Sequence, residues 1–199
     1  MRNSPLFLGT ISFIVLTFLL NWLGKFHFFY IEQLQLFQFT WDYFKEMVTS
    51  PGGFSLWAGE FLTQFFILPY GGPVILALFL TLIVLMCRSI IRRLSPSREL
   101  YLLYFLPALA LLIIQFDFNY LFGGTVAYFL AIMGFSLFVR LEDERFRWGA
   151  MLLLIPLLFV LGGASACLFT LLLVLWELLS RPFRGWILPV AAGGGVCFF

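Results

Sequence analysis

The sequence predicts an all-α membrane protein, a polytopic helical bundle of about six spans with a partial seventh and with interfacial amphipathic helices after the first span. Hydrophobic residues make up 62% of the 199 residues and charged residues only 11%, and the mean hydropathy is +1.03. Soluble domains are about 25% charged, so a chain this apolar requires lipid as its solvent. Its apolar runs are separated by short polar segments, and its arginines gather in alternate segments, as in multi-pass membrane proteins.

The first apolar run, Pro5 to Leu20, predicts a transmembrane helix. About 20 residues cross the hydrocarbon of a bilayer, and proline suits the first turn of a helix. A cleaved signal peptide is the alternative, but the large residues Asn21, Trp22 and Leu23 stand where a small-residue cleavage site belongs. We therefore interpret the run as a retained span, with Trp22 in the interfacial aromatic belt.

A segment rich in polar and aromatic residues, Lys25 to Leu68, follows the first span. Its first part predicts an amphipathic helix, because apolar residues recur there at helical spacing, namely Leu34, Phe37, Trp41, Phe44 and Val48. The alternation from Gln33 to Leu36 leaves a short strand as an alternative. Ser50 to Gly53 ends this helix. A second amphipathic segment has the apolar stripe Phe54, Trp57, Phe61, Phe65 and Leu68. Helices of this kind lie in the membrane interface.

Further apolar runs predict the remaining spans. They are Pro73 to Ile91, Leu100 to Ile114, Phe122 to Val139, Gly149 to Leu161 and Ala164 to Leu179. The last two are split by Gly162 and Gly163, and each is shorter than a perpendicular crossing, so they form either two short spans or a hairpin that turns inside the membrane. A partial seventh run is Ile187 to Phe199. We expect residues 1–199 to be one transmembrane domain, the N-terminal part of a longer protein.

The distribution of basic residues predicts the orientation. If the N-terminus is cytoplasmic, ten of the twelve basic residues lie in cytoplasmic segments, and only Lys25 and Lys45 lie outside. This asymmetry is the positive-inside pattern. It predicts a protein of the bacterial inner (cytoplasmic) membrane whose residues 25–68 form an extracytoplasmic interfacial insert. It also requires an even number of passes between Gly149 and Leu179, because a single pass would place Arg181 and Arg184 outside.

Acidic residues on the predicted outer side are the candidates for chemistry, because carboxylates at a lipid interface are costly unless they are solvated, paired or used. The candidate catalytic residues are Glu60, Asp117, Asp42 and Glu32. One or two of them facing a membrane-level cavity would act as a general base or hold a divalent metal ion on a phosphate-bearing donor. The alternative is a solvated polar edge of an interfacial helix, in which Lys45 neutralises a neighbouring carboxylate.

Other polar residues favour structural roles. Gln115, Asp117 and Asn119 alternate with aromatic residues, which suits either a ligand-facing row or a tight turn. His27 is the only histidine, so the chain contains no multi-histidine metal site. The three cysteines lie in apolar runs without paired spacing, which is typical of small buried side chains, and they are Cys87, Cys167 and Cys197.

Three short segments carry a resemblance to a known family, and they are Phe29 to Phe37, Pro51 to Gly53 and Gly59 to Phe66. On these segments the chain resembles an uncharacterised family of bacterial multi-pass membrane proteins, known only as a domain of unknown function, over most of its first 120 residues. That resemblance implies no activity. In layout the chain is also similar to the C-type (GT-C) glycosyltransferases. They place an extracytoplasmic loop with interfacial helices and an essential acidic residue straight after the first span, and they draw sugars from lipid-phosphate donors.

Two functions are consistent with these observations. The first is a GT-C-like glycosyltransferase domain that uses a lipid-linked sugar donor, and it predicts that the insert and the outer end of the third span converge on one cavity holding at least two of the four acids. The second is a non-enzymatic transporter subunit or membrane assembly scaffold. A scaffold predicts an aromatic outer patch without an enclosed pocket. The predicted partners are the lipid bilayer and a lipid-linked sugar, and no nucleic acid, whereas the oligomeric state stays open.

Overall fold

The computed structural model describes residues 5–94 and 101–180, and every regular element within these ranges is helical. The helices are α1 (Pro5–Leu34), α2 (Trp41–Val48), α3 (Gly53–Thr63), α4 (Gly71–Leu94), α5 (Tyr101–Gln115), α6 (Phe122–Phe138), α7 (Glu144–Gly162) and α8 (Ser165–Ser180), with a 3-10 turn at Gln64–Ile67. The all-α fold class is therefore confirmed. The predicted partial seventh run, together with Arg98, Arg181 and Arg184, lies outside the described residues.

The helices α4 and α6 form the centre of the bundle. α1 and α5 pack on α4, α4 packs on α6, and α7 and α8 pack on the other side of α6. One apolar core lies around α4 and includes Leu80, Tyr104 and Phe122. A second core lies around α6 and includes Phe138 and Phe169. The two halves of the bundle are thus joined through the contact between α4 and α6.

Three helices among the described residues are long and apolar enough to cross a membrane, and they lie at Leu6–Gly24, Gly71–Leu94 and Arg145–Gly162. The apolar helices Leu102–Gln115, Phe122–Phe138 and Ser165–Leu179 are shorter. At 1.5 Å per residue each of these extends about 20–26 Å, against about 30 Å of hydrocarbon. The described part of the chain therefore has the helices of a membrane protein. The α7 span is longer than predicted, because the helix begins before Gly149.

Apolar side chains cover much of the outer surface of the bundle. On α1, Leu6, Phe18 and Trp22 are exposed to 80%, 69% and 81%. Large exposed apolar side chains also follow α5 and α7, among them Leu106 and Leu152. A surface of this kind in water would exceed the apolar patches that soluble monomers expose. Lipid contact along the flanks of the bundle explains it.

The segment after the first span differs from the prediction at its beginning. α1 continues as one helix through Lys25 to Leu34, and residues 35–40 have no regular structure. The prediction of a helix from Leu34 onward is therefore correct only from Trp41, and the alternative strand at Gln33 to Leu36 does not form. Thr40 explains the new start, because its extended backbone and its side-chain oxygen, which accepts from the Tyr43 amide at 3.3 Å, cap α2.

Small residues fasten α3 to the bundle. Its buried residues are Gly53, Ser55, Gly59 and Thr63, whereas its aromatic stripe is only partly buried. A Cβ at Gly59 would lie 2.3 Å from the backbone nitrogen of Gly123 on α6, so only glycine permits this approach. The amide of Gly52, whose φ is +81°, donates to the Val160 carbonyl of α7 at 3.0 Å. α3 is thus held across the ends of α6 and α7.

The two ends of the bundle have opposite character. The end that carries α2 and α3, here called the capped end, also contains the α5–α6 connection and the α7–α8 turn. Six arginines lie at the other end, and they are Arg88, Arg92, Arg93, Arg140, Arg145 and Arg147. The capped end instead carries Glu32, Asp42, Glu60 and Asp117. The described arginines are therefore gathered at one end of the folded bundle, as the sequence indicates, and Glu142, Asp143 and Glu177 lie at the same end.

Candidate functional site

A hydrogen bond joins α2 to α3 at the capped end. The Tyr43 hydroxyl donates to a carboxylate oxygen of Glu60, and both side chains are partly buried. Burial and this hydrogen bond, together with the negative charges of Glu60 and Glu46, raise the pKa of Tyr43 to about 12. Tyr43 therefore stays protonated at physiological pH and acts as a donor. Glu60 was a candidate from the sequence, whereas Tyr43 was not.

An aromatic cluster surrounds this pair. The Phe37 ring is the hub, with its centroid 5.9 Å from that of Tyr43, 5.7 Å from that of Trp57 and 5.5 Å from that of Phe61. Trp57 and Phe61 are nearly parallel, at 7°. Such ring pairs contribute about 0.5–1.5 kcal/mol each beyond the area that they bury. None of the residues of α2 is fully buried, so α2 has no core contact of its own. The ring contacts of this cluster are therefore what holds α2 against α3.

A groove of about 350 Å³ opens beside the cluster. It is lined by Phe37, Gln38, Phe39, Thr40, Trp41, Phe44 and Trp57. Phe39 and Trp41 are 84% and 65% exposed, and the Lys45 ammonium lies 5.5 Å from the centroid of the Trp41 ring. The groove is thus an open aromatic surface with a few polar groups and a cation at its edge. Its size matches that of small-molecule sites.

The four candidate acids occupy different surroundings. Glu60 bonds Tyr43, Glu32 is partly buried in the last turns of α1, and Asp42 is exposed in the first turn of α2. Asp117 is exposed in the α5–α6 connection, where its carboxylate accepts from the Asn119 amide at 2.9 Å. This contact is the one expected of the tight turn. None of the four lines the groove, so this groove is not the predicted cavity with at least two of the acids. Glu60 is linked to it through Tyr43, whose ring packs against the lining residue Phe37.

No group of three or more histidine, cysteine, aspartate or glutamate side chains with the spacing of a metal site occurs among the described residues. The divalent ion considered from the sequence stays a prediction. The roles of Glu60, Asp117, Asp42 and Glu32 in catalysis remain predictions.

A buried polar network joins three helices at the capped end. His27 of α1, 8% exposed, lies with its Nε2 2.7 Å from the backbone oxygen of Gln115 at the end of α5. The Gln115 side chain accepts from the Thr125 hydroxyl of α6 at 2.7 Å. The rings of Phe116 and Phe118 enclose the imidazole at centroid distances of 5.5 and 5.1 Å. This network fixes the end of α5 against α1 and α6.

A second glutamine contact ties the end of α1 to α3. The Gln64 side-chain nitrogen donates to the Gln35 carbonyl at 2.9 Å and lies 3.3 Å from the Glu60 carbonyl. Gln35 itself is 5% exposed. A single amide group therefore bridges the end of α1 and the turn of α3 that carries the candidate acid.

The opposite end of the bundle contains a cross-helix ion pair. Arg147 of α7 pairs with Glu177 of α8, and its guanidinium also lies 5.1 Å from the centroid of the Phe138 ring of α6. The side chains of Arg147 and Glu177 are 10% and 24% exposed. Because Arg147 and Glu177 are 30 residues apart, no helical spacing reveals the pair. Glu177 thus joins α7 to α8.

Comparison with known proteins places the chain in a family. The family model described as "Family of unknown function (DUF6057)" matches residues 2–199. The chain belongs to this family. The resemblance recognised from Phe29 to Phe37 and from Gly59 to Phe66 is therefore confirmed, and it extends beyond the first 120 residues. No curated protein and no solved structure matches the chain. Membership in the DUF6057 family assigns no reaction, so a function has to be argued from the site itself.

Proposed function

We propose that this DUF6057 chain is the six-span domain of a bacterial inner-membrane protein that binds a lipid-linked sugar at the capped end, in the manner of a GT-C-type glycosyltransferase. The carrying observation is the hydrogen bond between Tyr43 and Glu60 beside an aromatic groove. Protein sites for small molecules are mostly aromatic and apolar, with a few polar groups that fix orientation. A sugar ring on a lipid tail presents both kinds of surface.

The six crossings are α1, α4, α5, α6, α7 and α8. The arginines of the opposite end support an inward orientation of that end, and the capped end then faces the periplasm. Exposed Leu36, Phe39 and Trp41, with exposed fractions of 82%, 84% and 65%, support a position of the groove at the membrane interface. A lipid-linked donor would reach the groove from the outer leaflet without leaving the bilayer.

In this proposal Glu60 is the general base. The donor's bond between the sugar carbon and the phosphate oxygen breaks, and the lipid phosphate leaves with the bonding electron pair. The acceptor hydroxyl attacks the sugar carbon and gives its proton to the Glu60 carboxylate. The role of Tyr43 is to orient that carboxylate. The Trp57 and Phe61 rings provide the adjacent surface for the sugar and the first part of the lipid.

The test combines binding and transfer by the purified full-length protein in lipid nanodiscs. Prenyl phosphates of short chain length, with and without a radiolabelled hexose, are the probes. Glu60→Gln should retain binding of the hexose-bearing lipid but reduce transfer at least 100-fold, as expected for loss of a general base. Glu46→Gln is the matched control, because Glu46 is an exposed carboxylate on α2 that acts on Tyr43 through its charge alone and does not accept the Tyr43 hydrogen bond. Equal transfer by both variants would overturn the role of Glu60.

The second candidate is a non-enzymatic membrane scaffold. Its supporting observation is that the groove is open, aromatic and not lined by any of the four candidate acids. A photoreactive phenylalanine analogue in place of Phe39 separates the two functions. Crosslinking to the hexose-bearing lipid supports sugar binding. Crosslinking to a protein of defined mass, unaffected by excess lipid-linked hexose, supports the scaffold and contradicts the first proposal.

A further inference from the structure

The walls of the groove are aromatic, and their rings meet at large angles. Five of the seven lining residues carry rings, and they are Phe37, Phe39, Trp41, Phe44 and Trp57. The Trp57 ring lies at 60° to that of Phe37 and at 78° to that of Phe44, with centroids 5.7 and 5.0 Å apart. The faces of aromatic rings attract cations, and tryptophan does so most strongly. The groove therefore offers the kind of surface that binds an ammonium group.

One ammonium group already lies against this surface. The Lys45 ammonium is 5.5 Å from the centroid of the Trp41 ring, within the distance of about 6 Å over which a ring face attracts a cation. Trp41 lines the groove, and both side chains are exposed. At least one ring of the groove is thus accessible to a cation from solvent or from the membrane interface.

The charge of the capped end also favours a cation. Residues 25–68 and 115–120 contain five carboxylates and two lysines, and so have a net formal charge of −3. Two of these carboxylates, Glu60 and Glu46, act on the hydroxyl of Tyr43, whose ring centroid lies 5.9 Å from that of the lining residue Phe37. A cleft surrounded by one sign of charge concentrates ligands of the opposite sign.

We propose that the groove binds the ammonium headgroup of a zwitterionic phospholipid. The exposed apolar side chains favour a lipid over a free cation, because Leu36 and Phe39 are 82% and 84% exposed and would contact acyl chains at the membrane interface. This inference goes beyond sugar transfer and does not require it. The phospholipid occupies the groove until a lipid-linked donor displaces it.

Choline and 3,3-dimethylbutan-1-ol test the inference, because they have nearly the same shape and only choline is positively charged. The full-length protein, labelled with nitrogen-15 at its tryptophans, is placed in nanodiscs of phosphatidylglycerol, which has no ammonium group. The indole signals of Trp41 and Trp57 should respond to choline with an affinity about five- to thirtyfold higher than to the neutral alcohol. Nanodiscs of phosphatidylethanolamine should suppress the response to choline, because the lipid headgroup then fills the groove.

Two variants and a control locate the ligand. Trp41→Leu removes a ring of the groove, so the affinity for choline, followed at the Trp57 signal, should fall about two- to fivefold. Lys45→Met removes the cation that competes for Trp41, so it should raise the affinity for choline by a similar factor. Trp22→Leu is the matched control, because Trp22 is also exposed, to 81%, and lies on α1 outside the groove.

The contrary outcomes are distinct. Equal affinity for choline and the neutral alcohol would overturn recognition of a cation. Weaker binding of choline by Lys45→Met would contradict it as well, because the groove would then select anions. A full response to choline in phosphatidylethanolamine nanodiscs would show that no lipid headgroup fills the groove. None of these probes contains a sugar, so their failure leaves the proposed sugar transfer standing, and failure of the Glu60→Gln test leaves this inference standing.

Discussion

The hydroxyl of Tyr43 donates to a carboxylate on another helix, and the pair links a short helix to the bundle. Burial disfavours the charge of a deprotonated Tyr43, and that charge would also lie beside the carboxylate of Glu60. The pKa of Tyr43 is accordingly raised to about 12. The local electrostatics of the site can therefore be measured through a tyrosine rather than through the carboxylate.

The Tyr43 titration gives the first residue-scale prediction. Glu60→Gln removes a negative charge, so the pKa of Tyr43 should fall from about 12 towards 10. Since the folded-state pKa is raised, the stabilising contribution of Tyr43 is complete below pH 10 and is lost as the pH rises through 12. Carbon-13 NMR of ring-labelled tyrosine, assigned with Tyr43→Phe, would measure the pKa of Tyr43 in the wild type and in Glu60→Gln. A Tyr43 pKa unchanged in Glu60→Gln would contradict the contact.

At the scale of the element, α3 depends on contact through glycine. A Cβ at Gly59 would meet the backbone nitrogen of Gly123 at 2.3 Å, so Gly59→Ala forces α3 away from α6. We expect a loss of about 1–3 kcal/mol of stability, typical of overpacking, and a groove disturbed at Trp57. Thermal unfolding and Trp fluorescence in detergent would measure both effects.

The matched control for Gly59→Ala is Gly149→Ala. Gly149 lies within α7, and apart from its chain neighbours and the adjacent backbone of α7 no atom is within 4 Å of a Cβ built there. Alanine favours a helix interior by about 0.5–1 kcal/mol over glycine, so this variant should be as stable as the wild type or more stable. If the two variants behaved alike, the close approach of α3 and α6 would not determine the stability of the capped end.

The sequence predicted the helices of the bundle far better than the site. α4, α5, α6 and α8 begin and end within a few residues of the predicted runs, because glycine, proline and charged residues bound their apolar stretches. α1 is longer than predicted, because the helix continues beyond the apolar run through Lys25 and the polar residues that follow it. The sequence did not predict which face of α3 is buried, because the small residues on that face form no apolar pattern at helical spacing.

The contacts of the site could not be read from spacing. Tyr43 and Glu60 are 17 residues apart, Gln35 and Gln64 are 29 apart, and His27 and Gln115 are 88 apart. Each pair forms only after helices from different parts of the chain have packed together. The sequence therefore identified Glu60 as a candidate acid from its aromatic neighbours, but it did not indicate the donor that orients it.

At the scale of the whole molecule, charge segregation predicts the direction of insertion. Among the residues that the structure describes, six arginines lie at one end of the bundle, and the four candidate acids lie at the other end together with Lys45. Placing the arginine end in the cytoplasm satisfies the positive-inside rule, and the capped end, with its groove, then faces the periplasm. Lipid-linked sugars displayed on the outer leaflet would be accessible to the groove only in this orientation, so the topology is the condition on which the proposed function depends.

Labelling with a membrane-impermeant maleimide tests this orientation. Ser50→Cys reports the capped end and Glu142→Cys the arginine end, and both positions are exposed in the structure. The native cysteines are first replaced by alanine. In intact spheroplasts Ser50→Cys should react at once, whereas Glu142→Cys should react only after the membrane is permeabilised. The reverse pattern would place the groove and Glu60 on the cytoplasmic side, where a donor on the outer leaflet cannot reach them. The assignment of Glu60 as a base for periplasmic sugar transfer would then be wrong, even if the groove binds a sugar.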